Sequence, residues 1–222
     1  FAGRTVTLSP GYGRRPLVLE YDHLVLGLGN VTDFRSNPGL RDHALPFKYL
    51  ADALRLRDHL IHVLGEAEIE PDADLRRQLL TFVIGGGGFS GTEVAAQIND
   101  FVRDVARNFR RLSPAEIRVI LIHSHERILH REMPESLALY AQRVLVKRGV
   151  ELMLNRRLAT ATPECAGLDD GTRIPTRTIV STVPASPNPL LDEFGFTMQR
   201  GRIVADITLQ AQGQEHVWAL GE

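Results

Sequence analysis

The chain has 222 residues, enough for one large or two modest domains with a buried core. It is 43% hydrophobic and 24% charged, and 26 basic residues against 27 acidic ones leave a net charge of −1, so nothing suggests nucleic acid or an anionic membrane as a partner. The one cysteine, Cys165, excludes an internal disulfide framework or a Cys-x-x-Cys redox pair and fits a reducing, cytosolic setting, and no apolar run approaches the roughly 18 residues a membrane span needs.

The N-terminal FAGRTVTLSP has neither region of a signal peptide and no initiating Met, so the chain is expected to be a piece of something longer. TVTL (5–8) and LVLE (17–20) flank the turn-rich PGYGRRP and predict a hairpin, and HLVLGLG (23–29) reads as a buried strand ending in glycines. Residues 30–46 carry two prolines and several turn formers and read as a loop. From Phe47 to about Gly65 the set Leu50, Ala53, Leu54, Leu60, Ile61 and Leu64 keeps helical spacing and stops at a glycine. GEAEIEPDAD (65–74) reads as an acidic linker.

The most regular stretch follows: a strand at 79–84, a glycine loop, a helix at 91–111 and a strand at 117–122. The helix carries Val94, Ala95, Ile98, Phe101, Val102, Val105 and Phe109 as a stripe that can lie on a sheet, so the unit is a βαβ with parallel strands. A helix at 135–148 and strands at 149–154, 157–162 and 177–183 come next, with DDGT (169–172) as a turn. The tail is first proline-rich (PASPNP) and then strand-like up to HVWALG. There are no repeats and no low-complexity tract.

In GGGGFSG, the spacing G-x-G-x-x-G is met by Gly86, Gly88 and Gly91. Gly86 allows the turn off the strand, Gly88 the approach of a pyrophosphate and Gly91 close helix packing, while the helix start offers N–H groups and partial positive charge. The absence of Lys-Ser/Thr after the glycines argues against a P-loop ATPase. Gly87, Phe89 and Ser90 fall inside the same loop. Glu93, read as lying in the helix's first turn, either simply gains from the dipole or borders the pocket.

FVIGGGGFSGTEVA resembles the second dinucleotide motif of the two-dinucleotide-fold pyridine-nucleotide:flavin oxidoreductases, most nearly that of the type II NADH:quinone dehydrogenases. EYDHLVLGLGN (20–30), ALPFKYLADALRLRDHL (44–60), SPNPLL (186–191) and HVWALGE (216–222) resemble further family segments in the same order. The resemblance implies an α/β fold in which a Rossmann-like NAD(P)-binding domain with a central parallel sheet is inserted in an incomplete FAD-binding domain. Residues 1–34 and 185–222 would be flavin-domain remnants, 35–75 a connecting loop and helix, and 76–184 the NAD(P) domain. It also implies FAD and NAD(P)H as cofactors, hydride transfer to the flavin, and quinone or another electron acceptor as partner. Carried over by motif, Glu93 lies near the nicotinamide, Val183 belongs to the nucleotide site, and Gly29, Gly221 and Glu222 line the flavin. Glu222 stands where the family usually has Asp, and no first glycine motif precedes Phe1, so a middle fragment that does not itself retain FAD is expected. The complete protein would be cytoplasmic or peripheral on the cytoplasmic face of the inner membrane. Other readings are a related flavin reductase serving a protein acceptor and a nucleotide-binding module without turnover.

Unpartnered strands at 5–8, 23–29 and 216–220 make self-association an expectation. Metal binding is not expected: His59 and His62, and the group His123, His125 and His130, lack a completing ligand set. Cys165, in a polar, turn-rich stretch, reads as an ordinary residue, and the pairs Arg110-Arg111 and Arg156-Arg157 as solvated surface. An NAD-specific Rossmann unit places an acid at the end of its second strand, but RVILIHSHERIL has His123 there, followed by Ser124, His125 and Arg127, all donors to a 2′-phosphate. Strict NADH preference is therefore expected to be lost, unless Glu126 takes the acidic role.

Overall fold

The computed structural model describes residues 3–9, 11, 13, 15–32, 34, 37–182 and 185–221. The chain forms two compact units, one spanning Thr32–Pro184 and the other combining Phe1–Val31 with Ala185–Glu222.

Numbering the elements of the larger unit alone, its strands are β1 (Leu45–Pro46), β2 (Thr81–Gly85), β3 (Arg118–His123), β4 (Val150–Leu154), β5 (Leu158–Thr162), β6 (Cys165–Leu168), β7 (Arg173–Pro175) and β8 (Thr178–Ser181). Its helices are α1 (Leu40–His43), α2 (Leu50–Ile69), α3 (Ala73–Leu79), α4 (Phe89–Ala106) and α5 (Glu135–Lys147). Five strands form a parallel sheet in the order β1-β8-β2-β3-β4. The middle strand, β2, is buried along its whole length, as its unbroken TFVIG requires in a sheet covered on both faces.

Alternating side chains assign the two covers. Phe82, Ile84, Val119 and Leu121 join Leu60 and Leu64 of α2 and Val94, Ile98 and Val102 of α4 in one core. Val83, Ile120 and Ile122 join Leu158, Ala166, Leu168 and Ile174 of the antiparallel sheet β7-β6-β5 in the other. The α/β class and parallel sheet expected from the sequence are the ones found.

Several local expectations are corrected. The segment read as a loop at 30–46 supplies α1 and the edge strand β1, because Leu45 and Pro46 pair with Val180 and Ser181. Helix α2 runs through Gly65 to Ile69, and its buried stripe is Leu56, Leu60, Val63, Leu64 and Ala67, while Leu50, Leu54 and Ile61 are exposed. The acidic linker is instead the end of α2 and the start of α3, whose N-cap Asp72 accepts from the N–H groups of Asp74 and Leu75 at 2.8 and 3.0 Å. Cys165 is buried at the start of β6, and the turn expected at 169–172 is found, joining β6 and β7, two strands not expected from the sequence.

In the smaller unit Thr5–Leu8 and Leu17–Glu20 form the antiparallel hairpin, and Leu24–Leu26 pairs in parallel with Val217–Ala219. Its core is small: Leu26, Phe196, Ala211 and Val217. The strand read as buried at 23–29 is three residues long and buries only Leu26. Among the described residues, no helix is long and apolar enough to cross a membrane.

Candidate functional site

Strand β2 runs into its turn at Gly86, whose φ of +110° suits glycine and whose N–H still donates to Ile122 O at 2.9 Å. Gly88 is the N-cap of α4, and no side chain caps it. The first-turn N–H groups therefore lack an intrahelical acceptor, at the positive end of an 18-residue helix and at the carboxyl edge of a parallel sheet, which is where open α/β folds bind ligands.

The glycines of the turn differ in what requires them. A Cβ on Gly91 would overlap the carbonyl oxygen of Gly86 and come within 2.8 Å of Thr182 Oγ1, so α4 can seat on the turn only with glycine there. A Cβ on Gly87 would strike the His123 ring. Gly88 has φ −76° and ψ −167°, open to any residue, and a Cβ there would meet only Glu132 Oε1, the far end of a flexible side chain, at 2.8 Å. Nothing in the folded chain requires Gly88 to be bare.

His123 is the last residue of β3. Its Nδ1 accepts from Gly87 N–H at 3.0 Å, which puts the proton of the neutral ring on Nε2. Gly87 O accepts from Leu129 N–H at 2.7 Å, so Gly87 is held through its N–H by the end of β3 and through its carbonyl by the segment that follows. Leu129 takes a φ of +52° to reach it, a strained conformation for a bulky residue. His125 meets His123 edge-on at 5.2 Å and stacks on His130 at 4.5 Å and 14°. Burial, then the neighbouring His125, holds the His123 pKa below its ordinary value; Glu132 opposes this and His130 adds to it. Arg127 is folded back, its Nη1 donating to Leu129 O at 3.2 Å, while Ser124 is half-buried beside His123 and Glu126 is exposed.

Thus Gly86, Gly87, Gly88, Phe89, Ser90, Gly91 and His123 come together at one turn, with Ser124 and Arg127 on the adjoining segment. Glu93 lies on the same helix but is corrected in position: α4 starts at Phe89, Glu93 is its fifth residue and exposed, and the first turn holds no acid. Gly29 and Gly221 belong to the smaller unit, where with Leu26, Leu28, Arg202, Ile203 and their neighbours they border a cleft of about 270 Å³. A Cβ on either glycine would meet nothing within 4 Å, so bare backbone faces open space there. Val183 and Glu222 lie outside the described residues.

The pattern of the sequence missed Glu132, Leu129 and Thr182. Thr182 closes the turn from β8 by donating to Gly85 O at 2.9 Å, and only the sheet order brings it there. Among the described residues no group of three or more His, Cys, Asp or Glu could hold a metal ion; His125 stacks on His130 and meets His123 edge-on.

A parallel sheet feeding a glycine turn into an uncapped helix, covered by helices on one face and a small antiparallel sheet on the other, defines a dinucleotide-binding fold. Residues 3–222 match the family described as pyridine nucleotide-disulphide oxidoreductase, and the chain belongs to that family. It is 32% identical over 216 residues to the type II NADH:quinone oxidoreductase NdhA of Mycobacterium tuberculosis, covering 92% of this chain and 46% of that protein. It is 27% identical over 218 residues to a probable NADH dehydrogenase of Dictyostelium discoideum, with coverage of 96% and 48%. Among solved structures, NDH2 from Plasmodium falciparum in complex with NADH has the same fold, with a TM-score of 0.88 at 16% identity over 98% of this chain and 46% of that one. The chain spans about half the length of the curated relatives it matches.

Proposed function

We propose that the complete protein is an FAD-dependent NAD(P)H dehydrogenase of the type II class, delivering electrons to a quinone, and that this chain supplies its nicotinamide-nucleotide site. The observation that carries the proposal is Gly88: a residue free of internal constraint is bare where the chain turns into an uncapped helix. Its backbone would admit the coenzyme pyrophosphate, and the N–H groups of Phe89, Ser90 and Gly91 with the helix dipole would hold it. Glu93 is assigned to the nicotinamide end and Val183 to the same site. FAD, when bound, would be the two-electron acceptor for the hydride of the reduced nicotinamide. Gly29, Gly221 and Glu222 would form part of its binding surface, the first two on the cleft of the smaller unit.

Quinone as acceptor follows the names of the relatives, and a quinone dissolved in lipid would put the complete protein on the membrane surface. The complete protein should purify yellow, bleach on adding NADH or NADPH, and recover its colour with a water-soluble quinone. A colourless protein that still binds the coenzyme would be a binding module and would overturn the dehydrogenase assignment.

A further inference from the structure

Two ring nitrogens beside the glycine turn, His123 Nε2 and His130 Nδ1, are buried and have no hydrogen-bond partner among the described residues. Such atoms are few in a native fold, and each asks for an explanation. They belong to a single group of rings in contact, His123, His125 and His130, on a segment joined to the turn by the hydrogen bonds of Gly87 to His123 and Leu129. His123 occupies the end of the second strand of the βαβ unit, where an NAD site sets a carboxylate to accept from the ribose hydroxyls. Because its Nδ1 is committed to Gly87 N–H, this histidine offers a donor there and no acceptor.

We propose that His123, His125 and His130 form a reader of the 2′-phosphate of the coenzyme, so that this site prefers NADPH to NADH. The proposal rests on nucleotide binding at the glycine turn. A phosphate supplies a strong, charged acceptor for the His123 Nε2–H, which has no partner among the described residues. The ribose hydroxyl of NADH supplies a weak acceptor and no charge.

The charged groups around the trio are Glu126, Arg127, Arg131 and Glu132 on its own segment, Glu93 on α4, and Arg156 after β4, whose N–H donates to His123 O at 3.0 Å. Arg127 is within its segment's hydrogen bonding and Arg156 is paired with Asp170 at 2.5 Å, whereas His123 Nε2 and His130 Nδ1 have no partner among the described residues. Glu132 is the competing element, since a carboxylate near the turn could accept from the ribose of NADH.

Burial and then His125 hold the His123 pKa below its ordinary value, and its Nδ1 accepts from Gly87 N–H, so the ring meets the phosphate in its neutral Nε2–H form and the preference for NADPH holds from about pH 8 to about pH 6.

The test is isothermal titration calorimetry of the protein with NADPH and with NADH across that range. The expected result is NADPH binding about tenfold tighter than NADH throughout. His123→Glu should reverse the preference. His125→Ala, which leaves the Gly87 bond untouched, should weaken NADPH severalfold and leave NADH unchanged. Equal or tighter NADH binding at every pH, or a ratio that neither substitution moves, overturns the reader while leaving the nucleotide site intact. Failure of both coenzymes to bind overturns the site and the reader together.

Discussion

The two units of this chain use apolar residues in opposite ways. In the larger one both faces of the parallel sheet are covered, and Phe82, Val83, Ile84, Val119 and Leu121 are fully buried. In the smaller one the hairpin Thr5–Leu8 and Leu17–Glu20 buries no residue, and Leu8, Leu17, Val18 and Leu19 are 44 to 58% exposed. The contrast separates a sheet that supplies its own cover from strand pairs that do not. The glycine turn is fixed from the larger unit: Gly86, Gly87 and Gly91 are each held or crowded by a neighbour from β3, the segment after it or Thr182, and Gly88 is not.

The largest effect should come from breaking the packed turn. Gly91→Ala pushes a methyl into the Gly86 carbonyl and should cost about 3 kcal/mol or more, whereas Leu17→Ala on the exposed hairpin should stay within about 0.5 kcal/mol; denaturant unfolding of both variants reads the difference. If Leu17→Ala proves as costly as Gly91→Ala, the hairpin is not an uncovered surface.

Association comes next. The exposed leucines of the hairpin should make the chain self-associate, and replacing Leu17 and Leu19 by Lys should return it towards monomer in sedimentation with no change in coenzyme affinity. A wild-type chain that sediments as a monomer at high concentration contradicts this.

The smallest effect concerns Glu132. Its carboxylate lies by Gly88, where the pyrophosphate would approach, so Glu132→Gln should tighten NADH and NADPH by the same factor, about two to fivefold at low salt and less at high salt. A selective loss of NADH affinity would instead make Glu132 the acceptor for its ribose.

What the sequence disclosed follows the same division. The βαβ unit was legible because an unbroken apolar run, a glycine spacing and a helical stripe coincide between Thr81 and Val105, all local signals. Strand β1 was hidden because Leu45 and Pro46 become a strand only by pairing with Val180 and Ser181, far along the chain. Helix α2 was misread at Gly65 because one glycine costs only about 1 kcal/mol and the burial of Ala67 continues the helix. At the site, Gly86, Gly88 and Gly91 were readable from spacing, and His123 from its place at a strand end. Glu132 and Leu129 were not, since their approach to the turn depends on how the segment after β3 folds back, for which no residue pattern exists.

The central claim is that Gly88 is bare for the sake of a nucleotide. Gly88→Val tests it, with calorimetric affinity for NADH and NADPH measured beside unfolding stability. The expected result is affinity lowered by about tenfold or more for both coenzymes, with stability within about 1 kcal/mol of wild type, because the new side chain meets only the movable end of Glu132. Unchanged affinity in a stable variant would place the coenzyme elsewhere and contradict the account.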